Sequence, residues 1–562
     1  MHVAPQSQPT QHKQAKQYQA GRWSPLLARL DSALTGLAIF FLFTALVFPF
    51  RLDWFDRMSY MFYPLELFLF GLVLLIPGRS GYWLRILASM VLAAGVIFRI
   101  ADIIAYQVFS RPFNPVFDTY LLADAMNFLT GSIGRAGALF VALCLVILLC
   151  GIILLSFLAL RRIQLSLLRS PRVSAVLLML GVLVWLGLSA AAWPRASRYF
   201  YDQLAMHVNN TLVSIVDMRE FREVVEQDIY KDVPGESLFG KLQNKDVLMV
   251  FVESYGRTLM DKEEYSQHFR PALEQATATL TAAGFEARSA FMGSPTVGGI
   301  SWLAHGTALS GLWIDSQVRY NTLMMSERPS LVKLFQRAGW RTVGVMPAIT
   351  MPWPEGSYFG YDQIYTAPEL DYRGLPYNFV TMPDQFTLSR FQEWERGVAA
   401  RTPIMAEIAL VSSHAPWTPV PTLIGWDAVG DGSIFSAEAA SGDPAEVVWQ
   451  DRDRVLRQYR QTVEYVIDSL VSYTVEFGDD ELVLLIIGDH QPMPYVTDNT
   501  DNRDVLVHVI ARDPAVMQAM DDWRWSHGML PQDSAPVWRM DALRDRFIET
   551  FSDEAESNTR GR

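Results

Sequence analysis

Cysteine is almost absent from this 562-residue sequence: Cys144 and Cys150 are the only two, and both lie inside one apolar run. The rest of the chain has no disulfide framework available and must be held by a core of its own. Charge is sparse at 19%, and positive charge is sparser than negative: 47 basic against 59 acidic residues leave a formal charge of −12. That balance excludes the basic surface with which nucleic acid is bound. The N-terminus also lacks the marks of a cleaved signal peptide, because a polar tail of about 25 residues precedes the first apolar run. That run is expected to act as the export signal itself.

Hydrophobic residues, by contrast, make up 50% of the chain. Apolar runs cover 33–50, 58–77, 84–105, 138–160 and 173–193, each near the ~20 residues that cross a hydrocarbon core as a helix. "ALFVALCLVILLCGIILLSFLAL", at 138–160, is too long and uniformly apolar for a helix with one wet face. Glu66, Arg99 and Asp102 interrupt the second and third runs, and such charges face a bundle interior or snorkel to an interface. About five transmembrane helices are therefore expected in residues 1–193. Basic residues mark the cytoplasmic loops: Lys13, Lys16 and Arg22, then Arg79 and Arg85, then "RRIQLSLLRSPR". Everything after about Trp193 is then placed outside.

Residues 109–137 are apolar enough for one or two short helices on the membrane surface. Residues 194–244 read as a helical juxtamembrane connector, broken by Pro and Gly in "KDVPGESLFG". From 245 to 562 the texture changes. "DVLMVFV", "EIALVSS" and "ELVLLIIGD" are continuous apolar runs bounded by charge, and they alternate with helical patterns such as "SLVKLFQRAG". Buried strands alternating with helices imply an α/β domain with a mostly parallel central sheet. Ligands in such folds sit beyond the carboxyl ends of the strands.

Three strand ends carry chemistry. Glu253 follows "VLMVFV", the pair Asp489 and His490 follows "LVLLIIG", and His414 follows "IALVSS". Two carboxylates and imidazoles converging on one sheet edge suit a divalent cation. "SPTVGGISWLAHGTALSG" adds hydroxyls: a flexible turn is expected before a helix that starts with Ser301 as N-cap and stops at Gly311. A hydroxyl at a helix N-terminus beside a cation is poised to act as a nucleophile. Thr296 in the turn is the alternative. His305, one turn after Ser301, and the planar fork of Arg257 could reach a phosphate-bearing substrate. Asp384 reads as the N-cap of a following helix, and His508 in "VLVHVIA" as a strand residue.

The order of "VFVESYG", "SWLAHGTALSG", "FGYDQIY", "LVSSHAPW" and "IIGDHQP" resembles the alkaline phosphatase/sulfatase superfamily. With apolar spans ahead of it, the chain looks like the membrane lipoteichoic-acid synthase and phosphoglycerol transferase branch. In that superfamily the nucleophile keeps a fixed distance from the glycine ending its helix, and counting back from Gly311 gives Ser301. The resemblance implies that Glu253, Ser301, Asp489 and His490 hold one divalent metal ion, Mn2+ foremost, with Zn2+ or Mg2+ as alternatives. It implies that His414 contacts the substrate or protonates the leaving group, and it matches only Trp353 to the branch's substrate-binding residues. "SWLAH" lacks the x-P-S-R that follows the sulfatase nucleophile, which argues against sulfate-ester hydrolysis.

The implied activity is transfer of a phosphoglycerol or phosphoethanolamine headgroup from a membrane phospholipid donor to an envelope glycan or lipid acceptor, through a covalent phospho-enzyme. The implied location is a bacterial cytoplasmic (inner) membrane, with the catalytic domain on the periplasmic side. A membrane-bound phosphodiesterase or phosphatase, and a catalytically silent envelope scaffold, are the alternatives.

Overall fold

The computed structural model describes residues 11–49, 61–109, 112–115, 118, 121–191, 193 and 196–553. The chain divides into two compact units, Met1–Tyr106 with Arg111–Ser214, and Gln107–Ser110 with Ile215–Arg562.

The first unit is helical. Its elements are α1 (Gln11–Val47), α2 (Leu65–Leu74), α3 (Gly78–Phe109), α4 (Leu121–Leu167), α5 (Pro171–Ala190) and the start of α6 (Tyr199–Val225). Stretches within α1, α3, α4 and α5 are long and apolar enough to cross a membrane, four candidate spans among the described residues. The expected span over 58–77 contains a shorter apolar helix. Within it α2 has only ten residues, a rise of about 15 Å against a core of about 30 Å. Pro64 occupies its N-cap and Leu75, Ile76 and Pro77 separate it from α3; residues 58–60 lie outside the described residues. The surface helix expected over 109–137 is the beginning of α4, which turns at Gly134 with φ 74°. The interrupting charges are turned inward. Asp102 Oδ2 lies 2.9 Å from His207 Nε2, and Arg99 donates to Gln203 Oε1 at 2.7 Å.

The second unit is built on a nine-stranded sheet. Its strands are β1 (Asp246–Val252), β2 (Glu286–Gly293), β3 (Arg341–Met346), β4 (Gln363–Thr366), β5 (Ile404–Leu410), β6 (Leu482–Gly488), β7 (Asp504–Ala511), β8 (Ser526–His527) and β9 (Val537–Arg539). The order is β8-β2-β7-β6-β1-β5-β3-β4, with β9 beside β2. β6, β1, β5, β3 and β4 are parallel, and β7 runs against both β6 and β2. Every residue of β1 and β6 is buried, so both faces are covered by helices, which explains why their sequences show no alternation.

β1 lies between β6 and β5, with Val252 opposite Gly488 on one side and Leu410 on the other. The three carboxyl ends therefore come out level, at the point where the strand order switches. Asp246 fixes the opposite end: it is 1% exposed, pairs with Arg396 at 3.0 Å, and accepts from the Ile404 N–H at 3.0 Å.

Candidate active site

Glu253 follows β1 directly, and Asp489 and His490 follow β6, so the level strand ends bring all three side chains together. Their donor atoms lie within 4.8 Å of one another. His490 Nε2 is 3.3 Å from Glu253 Oε1 and 3.6 Å from Asp489 Oδ2. The opposite ring nitrogen, Nδ1, donates to the Gln491 carbonyl at 2.8 Å, which fixes the tautomer and leaves Nε2 facing the carboxylates. Asp489 is held from behind: its Oδ1 accepts from the Ser254 and His490 N–H groups at 2.8 and 2.6 Å. Glu253 accepts from Ser254 Oγ at 2.8 Å.

Ser301 completes the group from another element. α7 (Glu263–Ala282) precedes β2, and a turn over 294–300 then leads into α8 (Ser301–Ser310). Ser301 Oγ donates to Glu253 Oε2 at 3.0 Å and lies 3.2 Å from His490 Nε2. Two expectations are corrected here. Ser301 is the first helical residue, not the N-cap, which is Ile300, and its hydroxyl caps no amide. The turn is not a flexible one: Ser294 Oγ donates to the Asp489 carbonyl at 2.6 Å and the Gly298 N–H to the Gln491 carbonyl at 2.8 Å. Gly298, Gly299 and Ile300 all have positive φ, and a β-branched residue in that region is held there against its own preference. Gly311 closes α8 as expected, with φ 69° and its N–H on the Thr307 carbonyl.

Thr296 is placed differently. Its hydroxyl donates to the Gly299 carbonyl at 2.7 Å and closes the turn. His414 is exposed, with Nδ1 2.5 Å from the Ala415 carbonyl, and its charge is felt by Glu253. Arg257 is not brought into the group. It pairs with Asp504 at 3.0 Å and Asp261 at 3.3 Å, and lies 4.2 Å above the Phe291 ring. Trp353 sits in an aromatic cluster with Phe359 and Tyr361, at ring distances of 5.8 and 6.3 Å. His305 turns its Nδ1 to Glu407 Oε1 at 2.7 Å.

Burial opposes charge throughout this site. It is outweighed at Glu253, whose carboxyl is held well below the usual range by His490. At Asp489, burial and the neighbouring Glu253 together push the carboxyl up to about 6. At His490, burial works against the charged form, yet Asp489 and Glu253 push the imidazole up to about 9.

Two residues had been missed or misread. Glu407 reads as the charge that bounds "EIALVSS", but the strand starts at Ile404 and holds it in the middle; the signal is the apolar "IMA" before the acid, since a carboxylate inside a covered sheet needs partners. Asp384 opens α10, a helix over Asp384–Phe391, but its N-cap is Pro383 and its side chain makes no cap. Instead Asp384 accepts from the Val411 N–H at 2.8 Å and the Ser412 N–H at 3.1 Å, holding the segment that leads to His414. Burial pushes its carboxyl up to about 7.

The residues from β1 to β8 match the family model described as Sulfatase, over 245–527. The chain belongs to the sulfatase family. With it comes membership of the alkaline phosphatase/sulfatase superfamily, whose chemistry is metal-dependent. A search of curated proteins finds no match. Among solved structures, this sulfatase-family chain is similar to the lipoteichoic acid synthase LtaP from Listeria monocytogenes, at 13% identity over 60% of this chain and 79% of that one, TM-score 0.37. It is similar to the phosphoglycerol transferase GacH from Streptococcus pyogenes in complex with sn-glycerol-1-phosphate, at 11% identity over 61% and 86%, TM-score 0.35. A third similarity is to the periplasmic domain of EcEptC from Escherichia coli in complex with Zn, at 14% identity over 55% and 82%, TM-score 0.34.

The donor set fits the metal that the superfamily implies. Two buried carboxylates, one imidazole whose Nε2 faces them and one hydroxyl come together, a mixture of oxygen and nitrogen that manganese and zinc both accept.

Proposed function

We propose that this sulfatase-family protein is a metal-dependent membrane transferase that moves a phospho-headgroup, phosphoglycerol or phosphoethanolamine, from a phospholipid to an envelope glycan or lipid. The observation that carries the reading is the Ser301 hydroxyl, 3.0 Å from Glu253 and 3.2 Å from His490 at the start of a helix. Glu253, Asp489, His490 and Ser301 hold one divalent ion, Mn2+ foremost. When bound, that ion lowers the pKa of the Ser301 hydroxyl and offsets charge on the phosphoryl oxygens.

Ser301 attacks phosphorus, diacylglycerol leaves, and a phospho-headgroup serine forms; an acceptor hydroxyl then displaces the serine. The free N–H groups at the start of α8 face the phosphoryl oxygens and favour their negative charge. His490 and Glu253 orient the serine oxygen toward phosphorus. His414, at the exposed edge, contacts the headgroup. The missing x-P-S-R after Ser301 sets this chemistry apart from sulfate-ester hydrolysis.

The apolar helices supply the reason for a lipid donor. A catalytic unit tethered to the bilayer meets a substrate that never leaves it, which raises the effective concentration. With the five spans read from the sequence, the basic residues of the loops put the unit after about Trp193 on the periplasmic side of a bacterial cytoplasmic membrane. The reading is tested by incubating the full-length protein, in Mn2+, with phosphatidylglycerol or phosphatidylethanolamine labelled in the headgroup, with and without an envelope glycan fraction. Label is expected on the glycan and diacylglycerol in the lipid phase. Label recovered only as free headgroup in both arms supports a membrane phosphodiesterase instead.

A further inference from the structure

Glu407 raises a question that the Ser301 group does not answer. It lies in the middle of β5, a covered parallel strand, and its side chain is 1% exposed. A carboxylate there is unfavourable unless both oxygens are satisfied. Both are: Oε1 faces His305 Nδ1 at 2.7 Å, and Oε2 accepts from the Tyr361 hydroxyl. Burial keeps that tyrosine protonated, its pKa well above the ordinary value, so it acts as the donor. Room for the tyrosine comes from the next strand. Gly344 on β3 is the register partner of Glu407, and a Cβ at 344 would meet the Tyr361 ring at 3.2 Å.

His305 is fixed by the same arrangement. Its ring stacks on Phe251, two residues before Glu253, with centroids 3.9 Å apart and planes at 17°. With Nδ1–H donating to the carboxylate, Nε2 is the ring atom left for a ligand. Ser301 and His305 are four residues apart on α8, so they share one helix face, one turn apart, and the His305 side chain keeps 13% exposure. The charged groups facing His305 are Glu407 on β5 and Asp489 at the end of β6, which feels the His305 charge.

We propose that His305 is the proton carrier of the transfer reaction, oriented by Glu407 and Tyr361 as positioning residues; this rests on the proposed function above. Ser301 enters and leaves the cycle deprotonated, its proton having gone to water. In the first half the Ser301 Oγ–P bond forms, the P–O bond to diacylglycerol breaks, and His305 Nε2–H gives its proton to the departing oxygen. In the second half His305 takes the proton of the acceptor hydroxyl as that oxygen bonds to phosphorus and Ser301 leaves. The carboxylate of Glu407 stabilises the imidazolium present before the first half and after the second.

The test varies the leaving group. Full-length protein in Mn2+ is given phosphatidylglycerol or phosphatidylethanolamine, whose leaving alkoxide needs a proton, or bis(4-nitrophenyl) phosphate, whose nitrophenolate does not. His305→Gln is expected to lower diacylglycerol release about 100-fold while leaving the nitrophenol burst within about threefold. Glu407→Gln is expected to show the same contrast more weakly, and added imidazole to restore lipid turnover in His305→Ala. Equal loss on both substrates, or no loss on either, overturns the proposal and leaves His305 a packing residue. Wild-type protein that releases diacylglycerol from neither lipid overturns the transferase reading itself, and the two failures are thereby distinguished.

Discussion

His508 and Asp489 are both buried titratable groups at the ends of hydrogen bonds, yet only one belongs to the site. His508 Nδ1 lies 2.6 Å from Ser289 Oγ and Nε2 lies 2.8 Å from the Tyr255 hydroxyl. Ser289 Oγ itself donates to the Gly528 carbonyl, so Nδ1–H donates to Ser289 and Tyr255 donates to Nε2. The neutral imidazole is fully satisfied, and burial pushes its pKa down to about 3. Because the folded value lies below the unfolded one, the unfolded state takes up the proton first. Stability from this group is complete above about pH 6.5 and is lost as pH falls toward 3, by roughly 3 kcal/mol at pH 4. Calorimetry of the transition of the C-terminal unit is expected to show a shallower fall in Tm between pH 6.5 and 4 for His508→Asn than for wild type. Parallel curves would contradict this account of His508. At this scale the sequence exposed Glu253, Asp489, His490 and Ser301, because strand ends and a helix start are visible as changes in pattern. It concealed Glu407, whose partners His305 and Tyr361 come from elements 102 and 46 residues away in the chain. It also concealed the work of Asp384, since an acid before a helical pattern reads equally well as a cap.

The elements that carry the site are strands whose ends are level because their registers are. β6 ends at Gly488, where a Cβ would meet the Tyr255 carbonyl oxygen at 2.3 Å, a backbone atom with no freedom to move aside. Gly488→Ala must therefore displace the segment bearing Asp489 and His490. It is expected to weaken Mn2+ binding at least tenfold and to destabilise the C-terminal unit by about 1–3 kcal/mol, as overpacking does. Isothermal titration of the full-length protein with Mn2+ checks the first effect; unchanged affinity would show that the strand end does not position the ligands. The continuous apolar runs announced β1, β5 and β6, and the helical pattern ending at Gly339 announced α9 (Leu331–Arg337). The antiparallel direction of β7 was not legible, because direction is set by how the chain crosses over and not by the composition of a strand. β8 and β9, of two and three residues, are too short to carry any period. The second apolar run reads as one span, and its described part holds ten residues of helix between Pro64 and Pro77.

A helical unit with, among the described residues, four stretches long and apolar enough to cross a membrane precedes a sulfatase-family unit in the chain. The strand-end carboxylates of that unit surround one serine. That combination was legible in outline, since composition alone separates the two halves and five short motifs mark the second. The headgroup and the acceptor were not legible, because they depend on side chains around the site whose approach is set by loops. The central claim is that Ser301 carries the headgroup between donor and acceptor. Its most direct test is mass spectrometry of the full-length protein, quenched in acid after incubation with Mn2+ and either phosphatidylglycerol or phosphatidylethanolamine in the absence of acceptor. A phosphoglycerol or phosphoethanolamine adduct on Ser301, absent from Ser301→Ala, is the predicted result. An adduct on Thr296, or release of diacylglycerol with no adduct on the protein, would contradict it.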